Sequence, residues 1–330
     1  MSGAAAHRAI FGIVAQMITP FAADASINVK LLRRLLERMI DAGVDAIAPI
    51  GDSGESIYLD RIEWRRATAT CLEQIAGRVP TIVDVSDITT AGTIERARFA
   101  ERLSATAIMI RPISCALLNV NELRQHFAMV AEFVNVPIMI GNDPSATGVD
   151  MIPEFVADLA AEIELITMIK ESSGLIERMK RITELSGGAV SPFNGSNLHA
   201  LHAYRVGVAG WCTAATCLVP EKIVQLWRLL ESEEVVGGTK LFAELAPLLA
   251  AIADFGAPAT IKSGLRTLGI DAGDPRLPQL PLDRHVSAEL AELLSVVRLT
   301  TRTTAPVPSH FRAQSMALTS TRVCSRSLRR

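Results

Sequence analysis

The sequence predicts a (β/α)8 barrel, a TIM barrel, with a C-terminal helical extension. Short apolar runs rich in β-branched residues recur at 13–18, 46–50, 81–85, 106–110, 137–141, 165–169, 189–193 and 208–213. Segments with helical periodicity separate most of them. The runs are continuously apolar and do not alternate with polar residues, which marks parallel strands covered on both faces. Eight such strands, alternating with helices, match the usual length of a closed barrel.

The elements follow in order. In the first helix Leu31, Leu32, Leu35, Leu36, Met39 and Ile40 share one face, and Arg33, Arg34, Glu37, Arg38 and Asp41 the other. Asn28 is placed to cap its start and Gly43 to end it. Asp150 followed by Pro153 opens a later helix, and Gly187-Gly188 closes the next. After residue 218 the strands stop, and 221–230, 235–255 and 259–268 read as helices. The expected organisation is a barrel over 1–218, a helical extension over 219–300 and a disordered basic tail over 301–330. That tail holds six arginines, ten Ser/Thr and no acidic residue, too little apolar area to offset its chain entropy. A doubly wound sheet is the nearest competitor, but no G-x-G-x-x-G follows the first strand.

Composition narrows the function. The chain has 330 residues, 49% hydrophobic and 21% charged, and a mean hydropathy of +0.29, so a large buried core is expected. No uncharged apolar stretch reaches bilayer length; the longest uncharged runs are 9–23 and 206–220. The apolar run near the N-terminus reads as a first buried strand and not as a signal peptide. A net charge of −2 gives no case for nucleic acid as a partner. The five scattered cysteines lack a C-x-x-C pair and suggest reduced thiols in a cytoplasm.

In a barrel the reactive groups come from the C-terminal ends of the strands and the loops after them. Those positions hold Thr19, the run Gly51-Asp52-Ser53-Gly54-Glu55-Ser56, Arg111, Cys115, Gly141-Asn142-Asp143, Lys170-Glu171, Asn194 to Asn197, and Gly210 and Trp211 with the two residues after them. Lys170 stands out, because it ends the apolar run 165–169 and could project into the barrel mouth. A free lysine is almost wholly protonated at neutral pH. Desolvation there is expected to lower its pKa and free an amine that attacks a ketone; pairing with a neighbouring carboxylate is the structural alternative. The glycine-rich run after strand 2, with its serine hydroxyl, could form a nest of N–H groups for a carboxylate, or be an ordinary tight loop. His199 and His202 lack a third metal ligand. No G-x-S-x-G elbow or P-loop is present, and no cofactor is expected.

These residues resemble the dihydrodipicolinate synthase / N-acetylneuraminate lyase family of class I pyruvate-type lyases over about residues 10–295. The resemblance rests on Gly51 to Ser56; on Pro144-Ser145-Ala146-Thr147-Gly148 after Asn142; on Ile169-Lys170-Glu171-Ser172-Ser173-Gly174; and on Ile261-Lys262-Ser263-Gly264-Leu265. It implies a (β/α)8 barrel with a helical extension, assembled as a homotetramer or homodimer. It makes Lys170 the Schiff-base lysine and Ser53-Gly54 the keto-acid carboxylate site. The chain departs from the family at four places. Gly141 stands where the family has a tyrosine proton shuttle. Asp52 and Cys115 match the threonine and second tyrosine of the synthases' proton relay. Ala146 replaces the arginine that holds a second substrate. The implied activity is therefore a cofactor-free lyase on a small 2-keto acid, a 2-keto-3-deoxy-acid dehydratase or aldolase. Asp52, Asp143 and Asn142 would bind a proton-carrying water, with burial raising the carboxylate pKa. Cys115, Gly141, Gly210 and Trp211 would line the substrate site. The synthase reaction proper, a deaminase, a metal-dependent lyase on the same barrel and a barrel that only binds keto acids stand as alternatives.

Overall fold

The computed structural model describes residues 10–114 and 116–299; Cys115 and the tail over 301–330 lie outside them. Eight parallel strands build the barrel: β1 (Gly12–Gln16), β2 (Ala46–Ala48), β3 (Ile82–Asp84), β4 (Ala107–Ile110), β5 (Ile138–Asn142), β6 (Ile166–Glu171), β7 (Ser191–Asn194) and β8 (Gly210–Thr213). Their order is β2-β1-β8-β7-β6-β5-β4-β3. An Ile47–Thr81 bridge joins the two ends and closes the ring. The outer ring holds α1 (Val29–Asp41), α2 (Arg61–Ile75), α3 (Thr90–Arg102) and α4 (Val120–Ala131), then the short α5 (Pro144–Thr147) and α6 (Pro153–Glu162), and finally α7 (Glu177–Leu185), α8 (Ala200–Arg205) and α9 (Pro220–Glu231). Three further helices follow: α10 (Val235–Phe255), α11 (Ala257–Thr267) and α12 (Arg284–Leu299).

Each strand shows one face to the barrel interior and the other to the helices, because side chains alternate. Val14, Ala46, Ala48, Ile82, Ala107, Met109, Met139, Met168, Phe193 and Cys212 form the inner cluster. Ile13, Ile47, Val83, Ile108, Ile140, Ile169 and Trp211 belong to the larger layer under the helices. That parity decides what can reach the mouth.

The first helix forms as expected. Asn28 Oδ1 accepts the Leu31 N–H at 3.0 Å, and Gly43 follows with φ 81°. Three details differ from the sequence reading. Asp150 does not cap α6; Ile152 occupies that position without a side-chain bond, and Asp150 pairs with Arg178. Helix α12 was not anticipated, although Pro278, Pro281 and Asp283 stand just before its start. Strands β5 and β6 run on to Asn142 and Glu171, so Lys170 lies inside a strand and not beyond its end. Helix α10 alone among the described residues has the length and apolarity to cross a membrane. Its buried stripe of Leu241, Leu245, Leu248, Leu249 and Ile252 instead joins the core.

Candidate active site

Lys170 sits on the inner face of β6, registered between Gly141 of β5 and Phe193 of β7. The residue is 3% exposed. Its Nζ lies 3.1 Å from Asp52 Oδ2. Asp52, in the loop after β2, keeps 30% of its side chain exposed and so forms the solvent side of the pair. The other carboxylate oxygen accepts the Gln16 Nε2 donor at 3.3 Å.

The charges correct two expectations. Burial is the largest single influence and works to lower the Lys170 pKa, but the Asp52 carboxylate together with Cys212 and Asp143 outweighs it, so the pKa is raised above 10.5. Burial works to raise Asp52, but Lys170 and Arg111 outweigh it and hold the carboxyl below its ordinary 3.8. The resting site is an ion pair, not a neutral amine beside a protonated acid.

The loop from Gly51 to Ser56 is a hydrogen-bonded double turn. The Glu55 N–H donates to Asp52 O, and the Ser56 N–H to Gly51 O, each at 3.0 Å. Thr19 Oγ1 donates to Gly54 O at 2.6 Å. A Cβ at Gly54 would lie 3.1 Å from Met17 O, so the loop can approach β1 closely only with glycine there. Glu55, at φ 59°, turns its side chain away from the mouth. It meets Lys262 Nζ of α11 at 2.5 Å and accepts the Arg276 N–H at 2.7 Å. Lys262 also lies over the Phe21 ring, 4.1 Å from its centroid. The extension thus grips the loop that carries Asp52. Ser53 is 5% exposed, and its hydroxyl forms no hydrogen bond among the described residues.

A second ion pair stands beside the first. Arg111 follows β4, 6% exposed, with Nε 2.8 Å from Asp84 Oδ2 and Nη2 at the same distance from that oxygen. A Cβ at Gly141 would fall 2.2 Å from Arg111 Cγ, so the arginine stem occupies the space beside Gly141.

Several expected site residues are placed elsewhere. Asn142 faces away from the interior: its amide donates to Glu171 Oε2 at 2.9 Å and its oxygen accepts the Met151 N–H at 3.0 Å. It braces the strand ends and is not positioned to hold a water at Lys170. Asp143 caps α5 and accepts from Ser145, while its charge still acts on Lys170 and Arg111. Trp211 points into the layer under the helices, fully buried, because its neighbours Gly210 and Cys212 take the inner face. Gly210 does face inward, where a Cβ would strike Gly12 O and Phe193, so it serves close packing. Cys115 lies outside the described residues. Lys170 and Asp52 meet, Gly141 is registered beside Lys170, and Ser53 and Gly54 follow Asp52 in its loop. His199 Nδ1 pairs with Ser196 Oγ at 2.9 Å. No group of three His, Cys, Asp or Glu suited to a metal occurs among the described residues.

The sequence reading missed Gln16 and Asp84, and gave Arg111 no role. A signal existed: Gln16 and Asp84 each break an apolar strand run at an inward position, and Arg111 stands two residues beyond inward Met109.

A family model described as the dihydrodipicolinate synthetase family matches residues 9–297. An enzyme named 4-hydroxy-tetrahydrodipicolinate synthase from Thermomicrobium roseum is 32% identical over 271 residues, covering 82% of this chain and 89% of that protein. Among solved structures, a provisionally named dihydrodipicolinate synthetase from Pseudomonas aeruginosa superposes with a TM-score of 0.86 at 43% identity, covering 88% of this chain and 100% of that one. The 4-hydroxy-tetrahydrodipicolinate synthase of Methylacidiphilum fumariolicum SolV gives the same TM-score at 27% identity, covering 89% and 98%.

Proposed function

The chain belongs to the dihydrodipicolinate synthetase family, and from that premise we propose that it is a lyase that binds a small 2-keto acid as an imine on Lys170. The reading rests on one observation: a buried lysine amine inside the barrel mouth with a carboxylate 3.1 Å away. Imine formation needs Lys170 to lose a proton, attack the C2 carbonyl and release the carbonyl oxygen as water. Asp52 is within reach to accept the ammonium proton and return it to the departing oxygen. The Ser53 hydroxyl and the Gly54 N–H would receive the keto-acid carboxylate, since the Glu55 and Ser56 N–H groups are spent within the turn. The imine then withdraws electrons from C3, so a bond there can break as a C–H or C–C bond.

Gly141 and Ala146 supply no side chain for a tyrosine shuttle or a second-substrate arginine. The reaction assigned is therefore dehydration or aldol cleavage of a 2-keto-3-deoxy acid, by a cytoplasmic homo-oligomer that needs no cofactor. One observation favours a second reading, a barrel that only binds keto acids: the Asp52 pair holds Lys170 protonated at rest. The test is turnover of a panel of 2-keto-3-deoxy acids, read as released pyruvate or dehydrated product. Activity lost in Lys170→Ala supports the lyase. Binding without turnover supports the second reading.

A further inference from the structure

The space beside Gly141 belongs to Arg111, and the arginine is held there by an assembly with no other evident task. Its backbone N–H donates to Ser86 Oγ at 2.8 Å. Its Nε and Nη2 both meet Asp84 Oδ2. The remaining Asp84 oxygen accepts the Ser86 N–H at 2.9 Å and also the Ser86 hydroxyl. Asp84 therefore has no acceptor capacity left for a ligand, and its role is to fix the guanidinium. Arg111 Nη1 makes no hydrogen bond among the described residues, and it is not among their sealed, unpartnered atoms. A buried arginine so carefully oriented keeps one edge unspent, in electrostatic contact with Asp52 and Asp143.

Building on the reading of Lys170 as the imine-forming residue, we propose that Arg111 is a specificity residue whose Nη1 donates to a hydroxyl carried beyond C3 of the keto acid. The charge count selects a hydroxyl over a second carboxylate. Lys170 and Arg111 are already matched by Asp52 and Asp84, so the keto acid's own carboxylate leaves the site with a negative excess. A second carboxylate would add another negative charge in a mostly buried mouth. A hydroxyl adds none and satisfies the idle donor. Gly141 is part of the same device, since any side chain there would displace the arginine stem.

The test is borohydride trapping on the full chain, reading the half-saturating concentration of three probes: pyruvate, 2-keto-3-deoxygluconate and 2-oxoglutarate. In Arg111→Met the value for 2-keto-3-deoxygluconate rises by about tenfold or more, while that for pyruvate stays within about threefold. Arg111→Lys, which keeps the charge, falls between and carries the test should the methionine variant not fold. 2-Oxoglutarate traps more weakly than 2-keto-3-deoxygluconate in the wild type. Parallel shifts for pyruvate and the hydroxylated acid, no shift for either, or a wild type that prefers 2-oxoglutarate would overturn the assignment. A pyruvate adduct without discrimination sinks this inference alone. The absence of any adduct on Lys170 sinks the imine reading with it.

Discussion

Lys170 and Asp52 are 118 residues apart in the chain and 3.1 Å apart in the barrel mouth. The pairing follows from strand parity and a braced loop. Lys170 shares the inner face of β6 with Met168, and the loop after β2 is clamped from behind by Glu55. Neither partner is placed by its own sequence neighbours alone.

The pair gives a signed pH dependence. Lys170 has a raised pKa, so its contribution to stability is complete below the ordinary 10.5 and is lost as pH climbs through the higher folded value. Asp52 has a depressed pKa, so its contribution is complete above 3.8 and is lost as pH falls through the lower folded value. Asp52→Asn removes the foremost charge that raises Lys170 and leaves burial and Arg111 opposed only by Cys212 and Asp143. The rising limb of Lys170 modification by an amine reagent then moves to lower pH than in the wild type. An unmoved limb would mean that Asp52 does not control the amine.

Gly141 and Arg111 should be energetically coupled. Gly141→Ala forces a Cβ to 2.2 Å from Arg111 Cγ, and because Asp84 pins the far end of that side chain, the cost is about 1–3 kcal/mol. Arg111→Ala removes the obstruction but leaves Asp84 unpaired. The double variant is expected to lose less than the sum of the two, in a denaturant-melt cycle. Additive losses would show that the two positions do not share space.

The Glu55 anchor has a separable signature. Lys262→Met strands a fully buried carboxylate, at a cost of about 3–5 kcal/mol. Glu55→Gln together with Lys262→Met recovers part of that loss in thermal melts. Because Glu55 holds the loop carrying Asp52, both variants also weaken pyruvate trapping. Full trapping at saturating pyruvate and an unchanged half-saturation point would detach the anchor from the site.

The thiols offer a direct probe. Burial pushes the Cys212 thiol up to about 12 and Cys217 to about 11, and raises Cys71 as well. All three are buried and should react slowly with a disulfide reagent in the native protein. Rapid labelling then maps to Cys115 or Cys324, and keto-acid protection would place the labelled residue near the mouth. Fast modification of Cys212 would contradict the closed inner cluster.

The barrel was legible because its signal is repetitive. Eight apolar runs at regular spacing leave few arrangements, and an error of one residue at the end of β5 and two at the end of β6 does not alter the topology. Lys170 and the turn around Ser53-Gly54 were legible for a related reason: each directly follows or ends such a run. What sequence could not supply was the facing of individual side chains. Asn142 ends β5, as a mouth residue should, and Trp211 lies within β8, yet each falls on the outward parity. Arg111 and Asp84 meet inside the barrel across neighbouring strands, and only the register of β3 against β4 brings them together. The direction of the Lys170 shift was misjudged because burial is visible in an apolar run, whereas the carboxylate that overrides it comes from a loop far away in the chain.

The most direct measurement is peptide mapping of the protein after reduction with borohydride in the presence of pyruvate. One adduct is expected, on the peptide containing Lys170, with a mass gain equal to pyruvic acid less one oxygen atom, and none in Lys170→Ala. An adduct on another lysine, or an unmodified protein at saturating pyruvate, would contradict it.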